Sequence, residues 1–308
     1  MKVIFMGTPE YGVPVLEGIL RSRHKVVAVV CQPDRPANRN VIMKPPVKLL
    51  AEERGIKVLQ YNRISREGVD ELKALNADIM VTAAFGQILS EEVLNIAPYG
   101  VINVHASILP HYRGSAPVHY AIINGEKTTG VTIMQTAKSV DSGDIIMQRT
   151  IDIKEGETAG ELTARLAILG AEMIVNALDD IESGKAVKIP QEHNRATYFP
   201  MLKKTDGRID FARTPYEIVN FVRGMQPWPG AFFQINGNTV KIIKAEINNE
   251  NYAGKTGEIV ESNPKTGLVI KAKDGCVNIL QVQPQGKKVM AAKDYLMGNP
   301  VAKGSIVC

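Results

Sequence analysis

The sequence has few cysteines and no recognisable metal-binding pattern. Its three cysteines, Cys31, Cys276 and Cys308, are odd in number and far apart among 308 residues. This spacing excludes a disulfide framework and a zinc site of the Cys-x-x-Cys type, so we expect three reduced thiols in a cytoplasmic protein. The five histidines show no ligand spacing with acidic or thiol residues, and we expect no metal ion.

Long apolar runs are also missing. The chain begins with a short apolar run that turns at residues 7–9, which is too short for a signal peptide or a membrane span. We therefore expect neither export nor a membrane partner. With 44% hydrophobic and 22% charged residues, the chain can bury a substantial core, and its length favours two domains.

Two nucleotide-binding signatures are incomplete. The first turn, residues 7–12, has Pro9 where the dinucleotide-binding fingerprint has its second glycine. The Gly-Lys-Thr at residues 254–256 follows Asn249, which stands where a P-loop has its leading glycine. These departures weigh against a dinucleotide-dependent oxidoreductase and against a P-loop nucleotide site.

The first half of the chain alternates β-branched strand patterns with helical patterns. This alternation is typical of a Rossmann-like, doubly wound, mostly parallel sheet. Strands are predicted at residues 3–6, 26–31, 57–59, 79–83 and 101–105, and later at 130–134 and 145–151. Helices are predicted at residues 14–21, 47–54, 66–75 and 91–96, and a long one at 159–181. Pro14 suits a first helical position, and Ser90 suits an N-cap.

The sequence pattern changes after Gly184. We predict a first domain of residues 1–184, a linker of residues 185–204 and a C-terminal domain of residues 205–308. In the C-terminal domain, a helix at 215–223 precedes short alternating segments separated by Asn-Gly, Lys-Thr-Gly and Asp-Gly turns. Such segments favour a small antiparallel, OB-like β-barrel.

The net charge of +5 is unevenly distributed. Residues 206–308 contain 13 Lys/Arg and 9 Asp/Glu, a net +4, and residues 31–48 carry a local +3. Two separated basic regions can bind a polyanion, and a solvated basic surface is the equal alternative.

Polar side chains lie where ligands bind in a doubly wound sheet, beyond the carboxyl ends of the strands. Asn103 and His105 end one predicted strand and, because side chains alternate, project to the same side. Asp141 lies in a turn before a later strand, from which it can pair with the imidazole and favour its protonated form. A structural histidine and an ordinary turn aspartate are the alternatives at this point.

These residues carry a family resemblance. The string Asn-Val-His-Ala-Ser-Ile-Leu-Pro-His-Tyr-Arg-Gly begins at Asn103, and Asp141 follows 38 positions after that asparagine. Together they resemble the active site of the folate-dependent formyltransferases. Segments 6–10, 32–36, 84–89, 130–134 and 283–288 are similar to the family members that act on aminoacyl-tRNA. The resemblance implies transfer of a formyl group from 10-formyltetrahydrofolate to methionine carried by initiator tRNA, for translation initiation.

The resemblance also implies roles for single residues. Asn103 would hold the formyl oxygen as it becomes negative, His105 would share that stabilisation and assist proton transfer, and Asp141 would tune His105 and relay a proton. The folate would contact Phe85, Gly86, Gln87, Ile88, Leu89, Ser107, Ile108, Leu109, Pro110, Ser139 and Val140. Core packing is the alternative for Phe85 and Leu89.

For the tRNA, the family uses a basic loop after the second strand and the basic face of the C-terminal domain. The corresponding residues here are Arg35, Arg39, Lys44, Lys287 and Lys288. The loop departs from that of some relatives, because residues 40–43 are Asn-Val-Ile-Met where those relatives have Gly-Lys-Lys. We expect the only tryptophan, Trp228, to pack against the barrel or the domain interface, with stacking on RNA as the alternative. We also expect a monomer.

Three other functions remain open from the residues alone. A purine-pathway or amino-sugar formyltransferase would keep Asn103, His105 and Asp141 and act on a small amine, with no need for the basic loop. An oxidoreductase would use the same kind of sheet, and a non-enzymatic RNA-binding protein would use only the loop and the barrel. Formyl transfer, hydride transfer and RNA binding, measured side by side, separate them.

Overall fold

The computed structural model describes residues 1–36 and 42–307. The chain divides into two compact units. The first unit comprises Met1–Pro117, Thr128–Ile151 and Thr163–Phe199, and the second comprises Val118–Lys127, Asp152–Leu162 and Pro200–Cys308. The helices are α1 (Gly12–Leu20), α2 (Pro46–Glu53), α3 (Ile64–Glu67), α4 (Val69–Ala74), α5 (Glu91–Leu94), α6 (Pro117–Ile123), α7 (Ala159–Glu182), α8 (Pro215–Gly224) and α9 (Ala292–Gly298).

The first unit is built on a parallel-dominated sheet. Its strands are β1 (Lys2–Gly7), β2 (Lys25–Cys31), β5 (Val58–Gln60), β6 (Ile79–Ala83), β7 (Val101–His105), β9 (Thr128–Gln135) and β10 (Ile145–Asp152), in the order β10-β9-β7-β6-β1-β2-β5. Two short pairs join β3 (Arg35–Pro36) with β4 (Ile42–Met43) and β8 (Arg113–Gly114) with β11 (Tyr198–Phe199). β1, β2, β5, β6 and β7 pair in parallel, whereas β9 runs antiparallel to β7. The expected Rossmann-like α/β class is confirmed.

The central strands are buried on both faces. Every residue of β6 is buried, and so is every residue of β1 after Lys2. Strands that are covered on both faces have continuous apolar sequences. Such runs are easy to delimit in the sequence, and β6 and β7 have the bounds that the sequence predicts. The same core places the carboxyl ends of β6 and β7 side by side, with Thr82 paired to Asn103.

Three local predictions about helices are tested by the structure, which confirms one and corrects two. Ser90 caps α5 as predicted, because its side chain accepts a hydrogen bond from the Val93 amide at 3.4 Å. Pro14 is the third residue of α1, since that helix already begins at Gly12. The predicted helix at 66–75 is two helices, α3 and α4, that meet at Gly68, where a Cβ would press on the Tyr61 ring. Glycine is the weakest ordinary helix former, and here its lack of a side chain is required for packing.

The second unit contains the antiparallel β structure that the sequence predicts. Its strands are β12 (Ala231–Ile235), β13 (Asn238–Asn248), β14 (Ile259–Asn263), β15 (Gly267–Lys271), β16 (Cys276–Pro284) and β17 (Met290–Ala291), in the order β12-β13-β16-β15-β14 with β17 beside β16. α8 begins with a capping box in which Thr214 accepts from the Glu217 amide and Glu217 accepts from the Thr214 amide.

The predicted linker, residues 185–204, contributes β11, which pairs in parallel with β8 of the first unit. The domain boundaries 1–184, 185–204 and 205–308 stay a proposal. Within the part of the chain that the structure describes, no helix combines the length and apolar character needed to cross a bilayer.

The second unit should lose stability as the pH falls, because burial lowers the pKa of His119 below its ordinary value of 6.5, an effect that a hydrogen bond to the Trp228 backbone partly opposes. The unfolded chain then binds more protons below pH 6.5, so the free energy of unfolding falls as the pH is lowered through that value. Urea unfolding followed by the fluorescence of Trp228, the only tryptophan, measures this dependence. His119→Gln should flatten it; equal pH slopes in both proteins would contradict the prediction.

Candidate active site

Asn103 lies on β7 with its side chain fixed by the neighbouring strand. Its Oδ1 accepts a hydrogen bond from Thr82 Oγ1 at 2.8 Å. Because the oxygen is engaged, the amide nitrogen is the group that remains to act as a donor, and no described residue accepts from it. Asn103 and His105 project from the same face of β7, with Cα atoms about 7 Å apart.

His105 is buried, and each of its ring nitrogens faces a protein oxygen. Nε2 lies 2.9 Å from the Tyr112 carbonyl oxygen. Because a carbonyl can only accept, Nε2 carries a hydrogen. Nδ1 lies 3.7 Å from Asp141 Oδ2, close enough for an ion pair when the ring is protonated. Nδ1 is therefore the ring atom at which protonation changes.

Asp141 presents its carboxylate to His105 from a tightly constrained turn. Its Oδ2 accepts a hydrogen bond from the Gly114 amide at 2.7 Å, and its side chain is only 13% exposed. Its φ of +49° is in the left-handed region, which aspartate adopts more readily than most residues. The structure therefore brings His105 and Asp141 together, as their sequence positions predict.

The loop after β7 is held by the buried side chain of Thr132. Thr132 Oγ1 donates to the Ser107 carbonyl at 2.7 Å and accepts from the Leu109 amide at 3.2 Å. Ser107 Oγ in turn donates to the His111 carbonyl at 2.8 Å, and Tyr112 stacks on Phe199 with ring centroids 4.9 Å apart. The loop backbone that carries the Tyr112 carbonyl is thereby fixed.

The predicted folate residues divide into buried and exposed groups. Phe85, Ser107, Leu109 and Leu89 are buried, and Phe85 and Leu89 belong to the core of the first unit. Ile88 and Val140 are 80% and 52% exposed. Gly86 has a φ of +82°, and the Gln87 side chain accepts a hydrogen bond from the Ile64 amide and donates one to the Tyr61 carbonyl. Ile108 and Pro110 are half-buried, and Ser139 is exposed.

The predicted tRNA residues are exposed wherever the structure describes them. Arg35 donates to the Gln32 side chain at 3.4 Å, while Lys44 pairs with Glu52 at 2.7 Å, which raises the pKa of Lys44. Lys287 and Lys288 are exposed between β16 and β17. Arg39 lies outside the described residues.

The expectation that Trp228 packs against the protein is met only in part, because Trp228 is half exposed. The turn around it is anchored through its backbone instead: the Pro229 carbonyl accepts from Lys241 at 3.4 Å and the Gly230 amide donates to the Met225 carbonyl at 2.9 Å. The backbone anchors leave the indole ring at the surface.

Two buried residues near the site escaped the sequence reasoning. Arg113 is 1% exposed and Gln191 is 6% exposed, and both lie beside Asp141 in the structure. Arg113 belongs to the string that carries the resemblance, so a signal was present. For Gln191 there was none, because it lies 50 residues from Asp141 in the sequence.

Within the described residues, His24, Asp179 and Glu182 form a cluster of the kind that can hold a metal ion. Its two carboxylates are already paired with Arg23, at 2.7 Å and 2.6 Å. Burial lowers the pKa of His24, which keeps its ring neutral. The cluster is therefore accounted for by ion pairing within the first unit.

Comparisons with known proteins identify the family of the chain. The family model described as "Formyl transferase" matches residues 1–178, and "Formyl transferase, C-terminal domain" matches residues 201–300. A methionyl-tRNA formyltransferase of Acetivibrio thermocellus is 43% identical over 310 residues, covering 100% of this chain and 99% of that protein. One of Ruminiclostridium cellulolyticum is also 43% identical, covering 99% and 98%.

A solved structure shares the fold at lower identity. The N-formyltransferase from Helicobacter canadensis, in complex with folinic acid and dTDP-3-aminofucose, aligns with a TM-score of 0.68 and 23% identity, over 92% of this chain and 99% of that one. The family models and the full-length relatives together show that this chain belongs to the formyl transferase family.

Proposed function

We propose that this chain transfers the formyl group of 10-formyltetrahydrofolate to the α-amino group of methionine on initiator tRNA, giving N-formylmethionyl-tRNA. The chain is a formyl-transferring enzyme, and its full-length relatives support methionyl-tRNA as the acceptor. The observation that supports the chemistry is the placement of Asn103 and His105 on one face of β7, with the Asp141 carboxylate beside the His105 ring.

The three side chains match what the reaction demands. The amine attacks the formyl carbon, a carbon–nitrogen bond forms, and the formyl oxygen becomes negative. We assign the free donor of Asn103 to that oxygen, since a donor aimed at developing charge is the largest single aid in acyl transfer. As the bond from carbon to the folate nitrogen breaks, the attacking amine must lose a proton and the folate nitrogen must gain one.

Proton transfer is assigned to Nδ1 of His105. Its Nε2 hydrogen is held by the Tyr112 carbonyl, so Nδ1 is the ring atom that can exchange a proton. The Asp141 carboxylate, 3.7 Å away, stabilises the ring when it is protonated. His105 therefore takes the amine proton and returns it to the departing folate nitrogen, which balances the reaction.

The proposed folate contacts fit a flat, partly apolar ligand. A pterin requires an apolar slot edged by backbone donors and acceptors. Ile88 follows β6, the strand beside β7, and Val140 directly precedes Asp141, so both exposed apolar side chains lie on loops that adjoin the catalytic residues. The buried members, Phe85 and Leu89 among them, would support these loops from below.

Ile88→Asp is expected to raise KM for 10-formyltetrahydrofolate about tenfold or more, with a smaller effect on kcat. Covering one isoleucine side chain contributes roughly 1.5–3 kcal/mol, and each 1.4 kcal/mol corresponds to about tenfold in binding. Steady-state kinetics with the folate varied measures the change. Ile168→Asp is the matched control, because Ile168 is 57% exposed on α7; an equal rise in KM in both variants would refute the Ile88 contact.

The tRNA contacts are proposed at Arg35, Lys44, Lys287 and Lys288, with Arg39 from the undescribed part of the loop. Phosphate contacts from such side chains give salt-dependent affinity. Lys44 would exchange its Glu52 partner for a phosphate. We further propose that the protein acts as a monomer in the cytoplasm, where charged initiator tRNA is used.

The decisive experiment is formyl transfer to charged tRNA. With 10-formyltetrahydrofolate as donor, initiator methionyl-tRNA should be formylated much faster than elongator methionyl-tRNA. Parallel reactions with a nucleotide-linked amino sugar and with a nicotinamide cofactor test the alternatives. Preferred use of the amino sugar would replace the tRNA acceptor, and RNA binding without transfer would overturn the enzymatic proposal.

A further inference from the structure

Arg113 is a buried cation that has no acidic partner. Its guanidinium is almost fully enclosed in the first unit, and among the described residues no carboxylate pairs with it. Burying an arginine costs several kcal/mol unless its donors are satisfied. Here neutral acceptors satisfy them: Gln191 Oε1 accepts from Nε at 3.2 Å and Nη2 at 2.6 Å, the Tyr198 hydroxyl accepts from Nη1 at 2.8 Å, and His193 Nδ1 accepts from Nη2 at 3.0 Å.

This arrangement fixes the direction of the Gln191 amide. A guanidinium can only donate, so Gln191 must turn its oxygen towards Arg113 and its nitrogen away from it. Nε2 then donates to the carbonyl of Asp141 at 2.9 Å and to the carbonyl of Gly143 at 2.7 Å. The turn that carries Asp141 is therefore held on both sides by one amide group, whose orientation Arg113 sets.

The residues on either side of Arg113 complete the arrangement. The Tyr112 carbonyl holds Nε2 of His105, and the Gly114 amide holds Oδ2 of Asp141. Arg113 anchors this short segment to the protein through its own side chain. The imidazole and the carboxylate thus share one support, and neither Arg113 nor Gln191 contacts either of them through a side chain.

We propose that Arg113 and Gln191 are positioning residues that set the geometry of the His105–Asp141 pair. They act through the backbone at 112–114 and 141–143 and touch no substrate. The inference rests on the proposed function, because it assigns the Asp141 carboxylate a part in formyl transfer. A displacement of about 1 Å at a reacting group can cost about 10²-fold in rate, so a support of this kind is large enough to matter.

The test uses Gln191→Glu, which keeps the size of the side chain and gives Arg113 a carboxylate partner. The new side chain cannot donate, so the carbonyls of Asp141 and Gly143 lose their hydrogen bonds and face a negative group. We expect kcat to fall about 10–100-fold, with KM for folate and tRNA within threefold and Tm unchanged or raised. The acidic limb of the kcat pH profile should also move. A merely structural role of Gln191 would leave that limb in place, so the profile separates the two roles.

A double-mutant cycle separates this inference from the proposed function. Turnover by the wild-type protein, and its loss in Asp141→Asn, test the function itself. If Gln191 acts only through Asp141, then Gln191→Glu costs little in the Asp141→Asn background. Gln234→Glu is the matched control, since it makes the same change at an exposed position of β12, and should leave kcat within about threefold.

Three results would overturn the proposal. The first is a double variant whose loss of kcat equals the product of the two single losses. The second is an unchanged kcat in Gln191→Glu. The third is a Gln191→Glu protein that no longer folds, because the amide would then be needed for stability.

Discussion

Replacing Asn103 with alanine is expected to lower kcat about 10²–10³-fold, while KM for the folate and for methionyl-tRNA stays within about threefold. The loss of one oxyanion donor has this magnitude in other acyl-transfer enzymes. The structure makes Asn103 a good donor because Thr82 occupies its oxygen, so the amide nitrogen is presented to the site without a competing partner among the described residues. The rate of formylation under saturating substrates measures the effect.

The same hydrogen bond supplies a graded second variant. Thr82→Val removes the hydroxyl that orients Asn103 and keeps its size and β-branched shape. We expect a smaller loss than in Asn103→Ala, because the amide can still reach the donor orientation part of the time. Asn95→Ala, at an exposed amide that ends α5, is the control and should retain wild-type turnover. Near-normal turnover in Asn103→Ala would remove this residue from the mechanism.

The sequence predicts the catalytic strand well because the relevant information is local. Asn103 and His105 are two residues apart in an extended segment, and alternation alone puts them on one face. The approach of Asp141 to His105 is predicted by the Asp-Ser-Gly-Asp turn and by the resemblance, whereas the left-handed conformation of Asp141 is seen only in the structure. Polar residues at a strand end and in a nearby turn indicate a ligand site even before the tertiary fold is known.

The supporting residues could not be predicted because their roles exist only after the chain folds. Gln191 donates a hydrogen bond to the Asp141 carbonyl, although the two residues are 50 positions apart in the sequence. The residues next to Gln191 in the sequence do not indicate that it is buried. Arg113 is charged, and a charged residue is expected at the surface unless its partners are known. The split of the predicted helix at Gly68 and the exposed ring of Trp228 have the same cause, since both depend on what the segment packs against.

Gly114→Ala is expected to lower both the turnover and the stability of the first unit. Gly114 has a φ of +106°, and a Cβ there would overlap the carbonyl oxygen of Phe199 across the β8–β11 pair. Because the overlap involves backbone on both sides, the strands must separate, and the Gly114 amide must leave the Asp141 carboxylate. We expect kcat to fall about 10²-fold and Tm to fall by several degrees, given a strain of roughly 1–3 kcal/mol.

A matched glycine separates backbone strain from steric overlap. Gly55 also has a positive φ, +65°, but a Cβ added there meets no atom within 4 Å. Gly55→Ala should therefore lose stability only through its backbone conformation, by about 1 kcal/mol, and should keep wild-type kcat. If Gly114→Ala behaves like Gly55→Ala, with a modest fall in Tm and normal turnover, the bond between the Gly114 amide and Asp141 does not control the reaction, and the positioning of that carboxylate must come from elsewhere.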